Sequence, residues 1–136
     1  MPDVQHVLVV EDNEHNLELV EFLLEEAGLS VTSAQDADAA RAALDEGIPD
    51  VILMDMQLPG TDGLTLVGEL RRKPAFADVP IIALTAHAMR GDRERFLAGG
   101  CDGYIAKPID AINFVDQIKE VLAASERESP AGGTET

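Results

Sequence analysis

Four short apolar runs in this chain each end in charged or hydroxyl-bearing residues. The clearest run occupies residues 51–54 (VILM), and Asp55 follows it directly. A run of this length that is rich in β-branched residues and closed by turn residues predicts a buried strand. The other three runs end at the pair Glu11 and Asp12, at Thr85 and at Lys107. If the strands are parallel neighbours, these five side chains converge at one sheet edge, where ligands collect in open α/β folds.

Strand-like and helix-like segments alternate along the whole chain. The predicted strands are 7–10, 31–34, 51–54, 81–84 and 103–106, and the predicted helices are 14–27, 36–47, 63–72, 90–98 and 110–124. Asn13 and Asp36 are predicted to cap the first two helices. Five such βα units predict an α/β fold, a doubly wound parallel five-stranded sheet with helices on both faces. The less apolar runs, 31–34 and 103–106, are expected at the sheet edges.

Length and composition narrow the class of protein. The 136 residues suit one domain, predicted at 1–124, and the polar tail 125–136 is expected to be disordered. A formal net charge of −16 argues against binding to nucleic acid or anionic membranes. No apolar stretch approaches the roughly 20 residues of a membrane helix. The one cysteine, Cys101, excludes an intramolecular disulfide, and five residues before the first strand leave no room for a signal peptide. We therefore expect a cytoplasmic protein.

The acidic residues at the predicted strand ends favour a divalent cation. Carboxylates crowded into one pocket raise one another's pKa, and a bound cation relieves this repulsion. Mg²⁺ prefers hard oxygen ligands and uses one or two carboxylates together with waters and phosphate oxygens. Glu11, Asp12 and Asp55 could supply such oxygens, and the backbone carbonyl near Gln57 could complete the protein's share.

A magnesium site of this kind has a phosphoryl group as its natural partner. Lys107 and the metal would offset the phosphoryl charge, and the Thr85 hydroxyl could donate to one of its oxygens. Asp55 is the carboxylate nearest the middle of the predicted sheet, so it is the expected nucleophile for an aspartyl-phosphate. The plainer alternative is that Asp55 only caps the turn that follows it.

These motifs together resemble the receiver domain of two-component response regulators over about residues 5–124. The resemblance rests on Glu11-Asp12, Asp55, the turn Leu58-Pro59-Gly60-x-Asp62-Gly63, Thr85 and Lys107-Pro108. It implies a flavodoxin-like (βα)₅ fold, Mg²⁺ dependence and phosphotransfer from a histidine kinase or a histidine phosphotransfer protein. It also implies that Thr85 and Tyr104 are switch residues and that the Lys107-Pro108 peptide bond is cis.

Longer motifs narrow the resemblance further. The stretches 10–16, 83–89 and 100–109 are similar to stand-alone bacterial cell-division regulators of the DivK type and also to receivers fused to hybrid kinases. Glu rather than Asp at position 11 departs from the commonest pattern, and Glu11 could reach the metal directly or through water. His87 is expected to line the entrance of the pocket without required chemistry.

Two other functions compete with a phosphorylation-controlled switch. An aspartyl-nucleophile phosphatase would need a second Asp two residues after Asp55, where this chain has Gln57. A flavin-binding electron carrier would need a hydroxyl-rich phosphate loop after the first strand, where this chain is acidic. If the chain is a phosphorylation-controlled switch, we expect no enzyme activity beyond stoichiometric self-phosphorylation and slow self-dephosphorylation. Its partners would be a kinase and a target protein that reads the face formed by the fourth helix, the fifth strand and the fifth helix.

Overall fold

Five parallel strands form the central sheet of the structure, a computed structural model that describes residues 4–86 and 91–128. The strands are β1 (His6–Val10), β2 (Ser30–Ala34), β3 (Val51–Asp55), β6 (Ile81–Thr85) and β7 (Gly103–Ala106), and β4 (Gln57–Leu58) and β5 (Thr61–Asp62) form a small antiparallel pair. The spatial order β2-β1-β3-β6-β7 puts β2 and β7 at the edges. The predicted parallel sheet and its predicted edges are therefore confirmed.

Helices cover both faces of the sheet. They are α1 (Glu14–Glu26), α2 (Ala37–Glu46), α3 (Gly63–Arg71), α4 (Asp92–Ala98) and α5 (Phe114–Glu128), with a 3₁₀ turn at Pro74–Phe76. Side chains alternate along each buried strand, as the period of two requires. Leu8, Ile52 and Ile81 pack under α2, α3 and α4, whereas Val7 and Leu53 pack under α1 and α5. Within the described residues, none of the helices has the length and apolar character needed to cross a membrane.

Both predicted helix caps are confirmed. The Asn13 side chain accepts from the N–H of Asn16 at 3.0 Å, and the Asp36 side chain accepts from the N–H of Ala39 at 2.8 Å. Each bond satisfies a backbone donor that the first helical turn would otherwise leave unpaired. These caps fix where α1 and α2 begin, directly after β1 and β2.

The last two helices begin later than the sequence predicts, and the last one also ends later. Helix α4 begins at Asp92 because Gly91 adopts a left-handed conformation with φ of 93°. Helix α5 begins at Phe114 rather than near position 110, since the Asp110 carboxylate accepts from the N–H groups of Ile112 and Asn113 and holds them in a turn. Helix α5 extends to Glu128, past the predicted helix end at 124, and the domain boundary at 124 stays a prediction. Residues 129–136 lie outside the described ranges.

Arg71 anchors the C-terminal end of α3 to the segments that follow α3 and α4. Its guanidinium pairs with the Asp102 carboxylate at 3.0 Å, and its N–H groups donate to four backbone carbonyls, those of Phe76, Ala77, Val79 and Gly100. Cys101 lies beside this pair, and burial raises the pKa of its thiol to about 12. The thiol therefore stays protonated and packs as a small hydrophobe, as the sequence suggests.

Candidate functional site

The sheet order brings the predicted site residues together at the carboxyl ends of the strands. Asp55 is the last residue of β3, Thr85 is the last residue of β6, and Glu11 and Lys107 directly follow β1 and β7. Backbone hydrogen bonds continue past the strands and hold these ends in register. The N–H of Met56 donates to the Leu84 carbonyl at 3.0 Å, and the N–H of Lys107 donates to the Thr85 carbonyl at 2.8 Å.

Three carboxylates form an acidic cluster at this edge. Glu11, Asp12 and Asp55 each contribute an oxygen, and these oxygens all lie within 4.8 Å of one another. Glu11 has no exposed surface and Asp55 is 2% exposed, whereas Asp12 is open to solvent. The cluster therefore combines two buried acids with one acid that an incoming ligand can reach.

Lys107 supplies the positive charge within this cluster. Its Nζ lies 2.9 Å from Oε1 of Glu11 and 3.3 Å from Oδ1 of Asp55. Oε1 of Glu11 is buried, and its contact with Lys107 is an ion pair rather than a well-aligned hydrogen bond. Burial alone would lower the pKa of the Lys107 ammonium, but its close contact with Glu11 and the charges of both carboxylates outweigh burial and raise that pKa.

Burial and mutual repulsion raise the pKa of two of the acids. For Asp55 the main cause is burial, and the Glu11 carboxylate adds to it, while the N–H of Gln57 at 3.0 Å works in the opposite direction. The pKa of the exposed Asp12 is also raised, first by partial desolvation of its carboxyl group and then by Asp55. Both acids would ionise more readily beside a cation.

The donor set fits Mg²⁺. Carboxylate oxygens are hard ligands, and two ligands on opposite sides of a magnesium octahedron are about 4.2 Å apart. Adjacent ligands are about 3 Å apart, so the oxygens of Glu11, Asp12 and Asp55, which lie within 4.8 Å of one another, would draw together around one ion. The Gln57 carbonyl, which sits at the start of the β4–β5 pair, stays a predicted ligand.

Thr85 forms part of a groove next to Asp55. The groove holds about 210 Å³ and is lined by Met56, Gln57, Asp62, Leu64, Thr85 and Arg95. Tyr104 lies on the edge strand β7, where its ring centroid is 6.2 Å from that of Phe96. Thr85 and Tyr104 are thus on neighbouring strands, as the predicted switch requires. The Lys107-Pro108 peptide bond is cis, as expected, and His87 lies outside the described residues.

Two features of the site were missed in the sequence. Gly63 packs so closely that a Cβ atom there would lie 2.1 Å from the Asp55 carbonyl oxygen, and its place at the end of the Leu58–Gly63 turn was the available signal. Arg95 lines the Thr85 groove from α4, ten residues further along the chain. No sequence pattern connects Arg95 with Thr85, because only the packing of α4 brings them to one groove.

The sequence matches the model of a known protein family over most of its length. The family model described as the response regulator receiver domain matches residues 7–119. The chain belongs to this family. Members are signalling proteins rather than classical enzymes, which sets aside the phosphatase and flavin-carrier alternatives.

This receiver is also similar to named regulators. It is 41% identical over 116 residues to the polar-differentiation response regulator DivK of Brucella anthropi and to that of Brucella ovis, and the match covers 85% of this chain and 94% of each relative. The expected resemblance to the DivK type is confirmed.

Solved structures show the same fold. The chemotaxis response regulator CheY4 of Vibrio cholerae superimposes with a TM-score of 0.82 at 26% identity, covering 87% of this chain and 98% of that one. The receiver domain of the sensor histidine kinase PA1611 from Pseudomonas aeruginosa superimposes with a TM-score of 0.78 at 37% identity, covering 88% and 98%. That structure has a magnesium ion coordinated in its active-site cleft.

Proposed function

We propose that this chain is a single-domain response regulator that accepts a phosphoryl group on Asp55 from a histidine kinase or a histidine phosphotransfer protein. The observation that carries the proposal is the setting of Asp55. Its carboxylate is buried at the end of β3, between the ammonium of Lys107 and the acidic pair Glu11 and Asp12. A structural turn cap needs neither a half-buried ammonium nor two further acids.

Each side chain of the site has a distinct role in the transfer. A carboxylate oxygen of Asp55 attacks the phosphorus, the bond from phosphorus to the donor's histidine nitrogen breaks, and that nitrogen keeps the electron pair. The Lys107 ammonium offsets charge on the phosphoryl oxygens, and the Thr85 hydroxyl donates to one of them. Bound Mg²⁺ supplies further positive charge for those oxygens.

Four groups would hold the magnesium ion. These are the carboxylates of Asp12 and Asp55, the carbonyl of Gln57 and the carboxylate of Glu11. Both oxygens of Glu11 are engaged, Oε1 with Lys107 and Oε2 with the N–H of Asn13 at 3.0 Å. This engagement favours a contact between Glu11 and the ion through water, and a direct contact by the exposed Asp12.

Signalling would then depend on contacts with other proteins. Phosphorylation on Asp55 adds acceptor oxygens beside Thr85, and an inward move of Thr85 leaves room for the Tyr104 ring. We propose that the face formed by α4, β7 and α5 carries this change to a cytoplasmic target protein. The net charge of −16 makes a nucleic-acid target unfavourable.

The phosphorylation site is tested by labelling. The wild-type chain and the variants Asp55→Asn and Asp45→Asn are incubated with Mg²⁺ and a histidine kinase or acetyl phosphate, and intact mass is measured. Asp45 is an exposed residue of α2 and serves as the matched control. We expect one phosphoryl group on the wild type and on Asp45→Asn, and none on Asp55→Asn. Undiminished, stable labelling of Asp55→Asn would refute the assignment.

A receiver that works as part of a hybrid histidine kinase is the second candidate. The 37% identity to the receiver domain of a Pseudomonas sensor histidine kinase favours it, and the chemistry at Asp55 would be the same. The two candidates differ in partner. Phosphotransfer to this chain, expressed alone, from a separate kinase in kinetic competition with other receivers would support the single-domain function.

A further inference from the structure

A cationic side chain that the transfer does not use, Arg95 of α4, lines the groove beside Thr85. In the strand order β1-β3-β6, Thr85 lies on the opposite side of Asp55 from Glu11. The groove beside Thr85 is bounded by Gln57 and Asp62 on the loop after β3 and by Arg95 on α4. Lys107 contacts Asp55 directly, and Arg95 lines the adjoining groove beside Thr85, so the two cations come from different elements.

Among residues 4–86 and 91–128, the Arg95 guanidinium makes only weak interactions. Its Nη2 lies 3.6 Å from Oδ1 of Asp92, and its Cζ lies 4.9 Å from the centroid of the Phe96 ring. Hydrogen bonds from Thr65 keep the pKa of the Asp62 carboxyl below its usual value, and the charge of Arg95 contributes to that lowering. The Arg95 side chain is 58% exposed, so a stronger anion in the groove can draw it away from these partners.

The ring beneath Arg95 connects it to the switch tyrosine. Phe96 is 1% exposed, and its ring packs at 56° to that of Tyr104 with the centroids 6.2 Å apart. Arg95 therefore contacts Phe96, which does not line the groove, and Phe96 in turn contacts Tyr104. A movement of the Arg95 guanidinium changes the surroundings of Phe96, which in turn borders Tyr104.

We propose that Arg95 is a positioning residue that binds the phosphoryl oxygens across the Thr85 groove and, through Phe96, biases the Tyr104 ring. The inference rests on the proposed phosphorylation of Asp55 and deepens it by adding a second cation and a second route to Tyr104. A phosphoryl group carries nearly two negative charges at neutral pH, whereas Asp62 and Asp92 each carry one. The planar guanidinium can bind two phosphoryl oxygens at once, whereas its pair with Asp92 is a single contact at 3.6 Å.

The chain contains its own probe for this coupling. Tyr104 is its only tyrosine and there is no tryptophan, so intrinsic fluorescence reports on that ring alone. Beryllofluoride with Mg²⁺ imitates a phosphoryl group on an aspartate. It can be titrated into the wild type, Arg95→Gln and Arg93→Gln while tyrosine fluorescence and binding are followed. Arg93 is an exposed arginine of the same helix that does not line the groove, and it is the matched control.

We expect Arg95→Gln to weaken beryllofluoride binding about tenfold, as the loss of one charge-assisted hydrogen bond would. The fluorescence change of Tyr104 at saturation should also shrink, and Arg93→Gln should keep the wild-type affinity and amplitude. Arg95→Lys should recover part of the affinity, because it keeps the charge without the planar fork. Phe96→Leu should keep the affinity and lose most of the fluorescence change, with its melting temperature measured to confirm folding.

The outcomes separate this inference from the proposed function. If the wild type binds no beryllofluoride in the presence of Mg²⁺, the proposed function fails, and the inference fails with it. If the wild type binds beryllofluoride and Arg95→Gln matches Arg93→Gln in both affinity and amplitude, the inference alone is wrong. If affinity falls for Arg95→Gln while the Tyr104 change at saturation is intact, Arg95 binds the anion but the Phe96 route is wrong.

Discussion

The Lys107 ammonium lies 2.9 Å from Oε1 of Glu11, a carboxylate with no exposed surface. This ion pair joins the residue after β7 to the residue after β1, although β3 and β6 lie between those strands in the sheet. The same ammonium also reaches Asp55 at 3.3 Å. Lys107 therefore holds the acidic cluster together without a phosphoryl group, in addition to the role that we propose for it in the transfer.

Removal of this cation should destabilise the metal-free protein. Lys107→Met leaves the buried carboxylate of Glu11 and that of Asp55 without their ion-pair partner, which typically costs about 3 kcal/mol or more in the free energy of unfolding. Urea unfolding at neutral pH with a chelator measures the change. Lys119→Met, on the exposed side of α5, should change the free energy of unfolding by less than about 0.5 kcal/mol.

A second substitution identifies the cause of that loss. In the double variant Glu11→Gln with Lys107→Met, one of the two uncompensated charges is gone, so part of the lost stability should return. Equal stability of the single and double variants would show that the Lys107 side chain matters through packing rather than through charge.

The raised pKa of Asp55 predicts how the stability of the metal-free protein depends on pH. The folded chain keeps the Asp55 proton at pH values where the unfolded chain, with the ordinary pKa of 3.8, has lost it. The unfolded state then binds fewer protons, so the contribution of Asp55 to stability is full below 3.8 and is lost as pH rises through the folded-state pKa. Above that window the ionised Asp55 carboxylate opposes folding.

The variant Asp55→Asn should therefore be more stable than the wild type at neutral pH in a chelator. The difference should grow as pH rises from 3.8 through the raised folded-state pKa of Asp55 and should then level off. Urea unfolding across that range measures it, with Asp45→Asn as the exposed control. A variant that is less stable than the wild type at neutral pH would show that the ion pair with Lys107 outweighs burial and repulsion.

Local patterns predicted the strands and the first caps well, because these depend on neighbouring residues. Continuous apolar runs at 51–54 and 81–84 can be satisfied only in buried strands, and Asn13 and Asp36 cap helices within three residues of themselves. The start of α5 was harder, since Asp110 offers the backbone a competing turn that a helical pattern does not reveal.

The same distinction applies to the site. Residues that the sheet order places were predictable, and contacts that depend on side-chain packing were not. Asp55, Thr85 and Lys107 were predictable because each lies at a strand end, and the sheet order alone brings strand ends together. The pairing of Lys107 with Glu11 was not, because it spans 96 positions and depends on side-chain reach. The contacts of Arg95 and Phe96 likewise depend on how α4 packs against β7 and the loop after β3.

Magnesium should raise the stability of the wild type. An ion that binds only the folded state adds about 2.7 kcal/mol at a concentration of 100 times its dissociation constant. The melting temperature, measured at constant ionic strength with and without millimolar Mg²⁺, tests this. Asp12→Asn should reduce the gain, because the exposed carboxylate is the one an incoming ion reaches first. A wild-type melting temperature that Mg²⁺ leaves unchanged would count against a metal site in this cluster.

Gly63 positions Asp55 through the backbone. A Cβ atom at Gly63 would lie 2.1 Å from the Asp55 carbonyl oxygen and 2.9 Å from Cα of Met56, and neither atom can move without displacing the end of β3. The N–H of Gly63 also donates to the Met56 carbonyl at 3.0 Å, which keeps the start of α3 against that strand. The requirement for glycine at position 63 is therefore steric. It is not conformational, because the φ angle of Gly63 is not left-handed.

The variant Gly63→Ala should consequently lose both stability and phosphoryl binding. Forcing a methyl group into this contact should cost about 2 kcal/mol in the free energy of unfolding. It should also weaken beryllofluoride binding with Mg²⁺, because the Asp55 backbone must shift. Gly68 lies in the same helix, where a Cβ atom would meet only the Arg72 side chain at 3.9 Å. Gly68→Ala should therefore stabilise the protein by up to about 1 kcal/mol through helix propensity and leave beryllofluoride affinity unchanged. Changes of the same sign in both variants would show that α3 as a whole, rather than the contact of Gly63 with Asp55, controls the site.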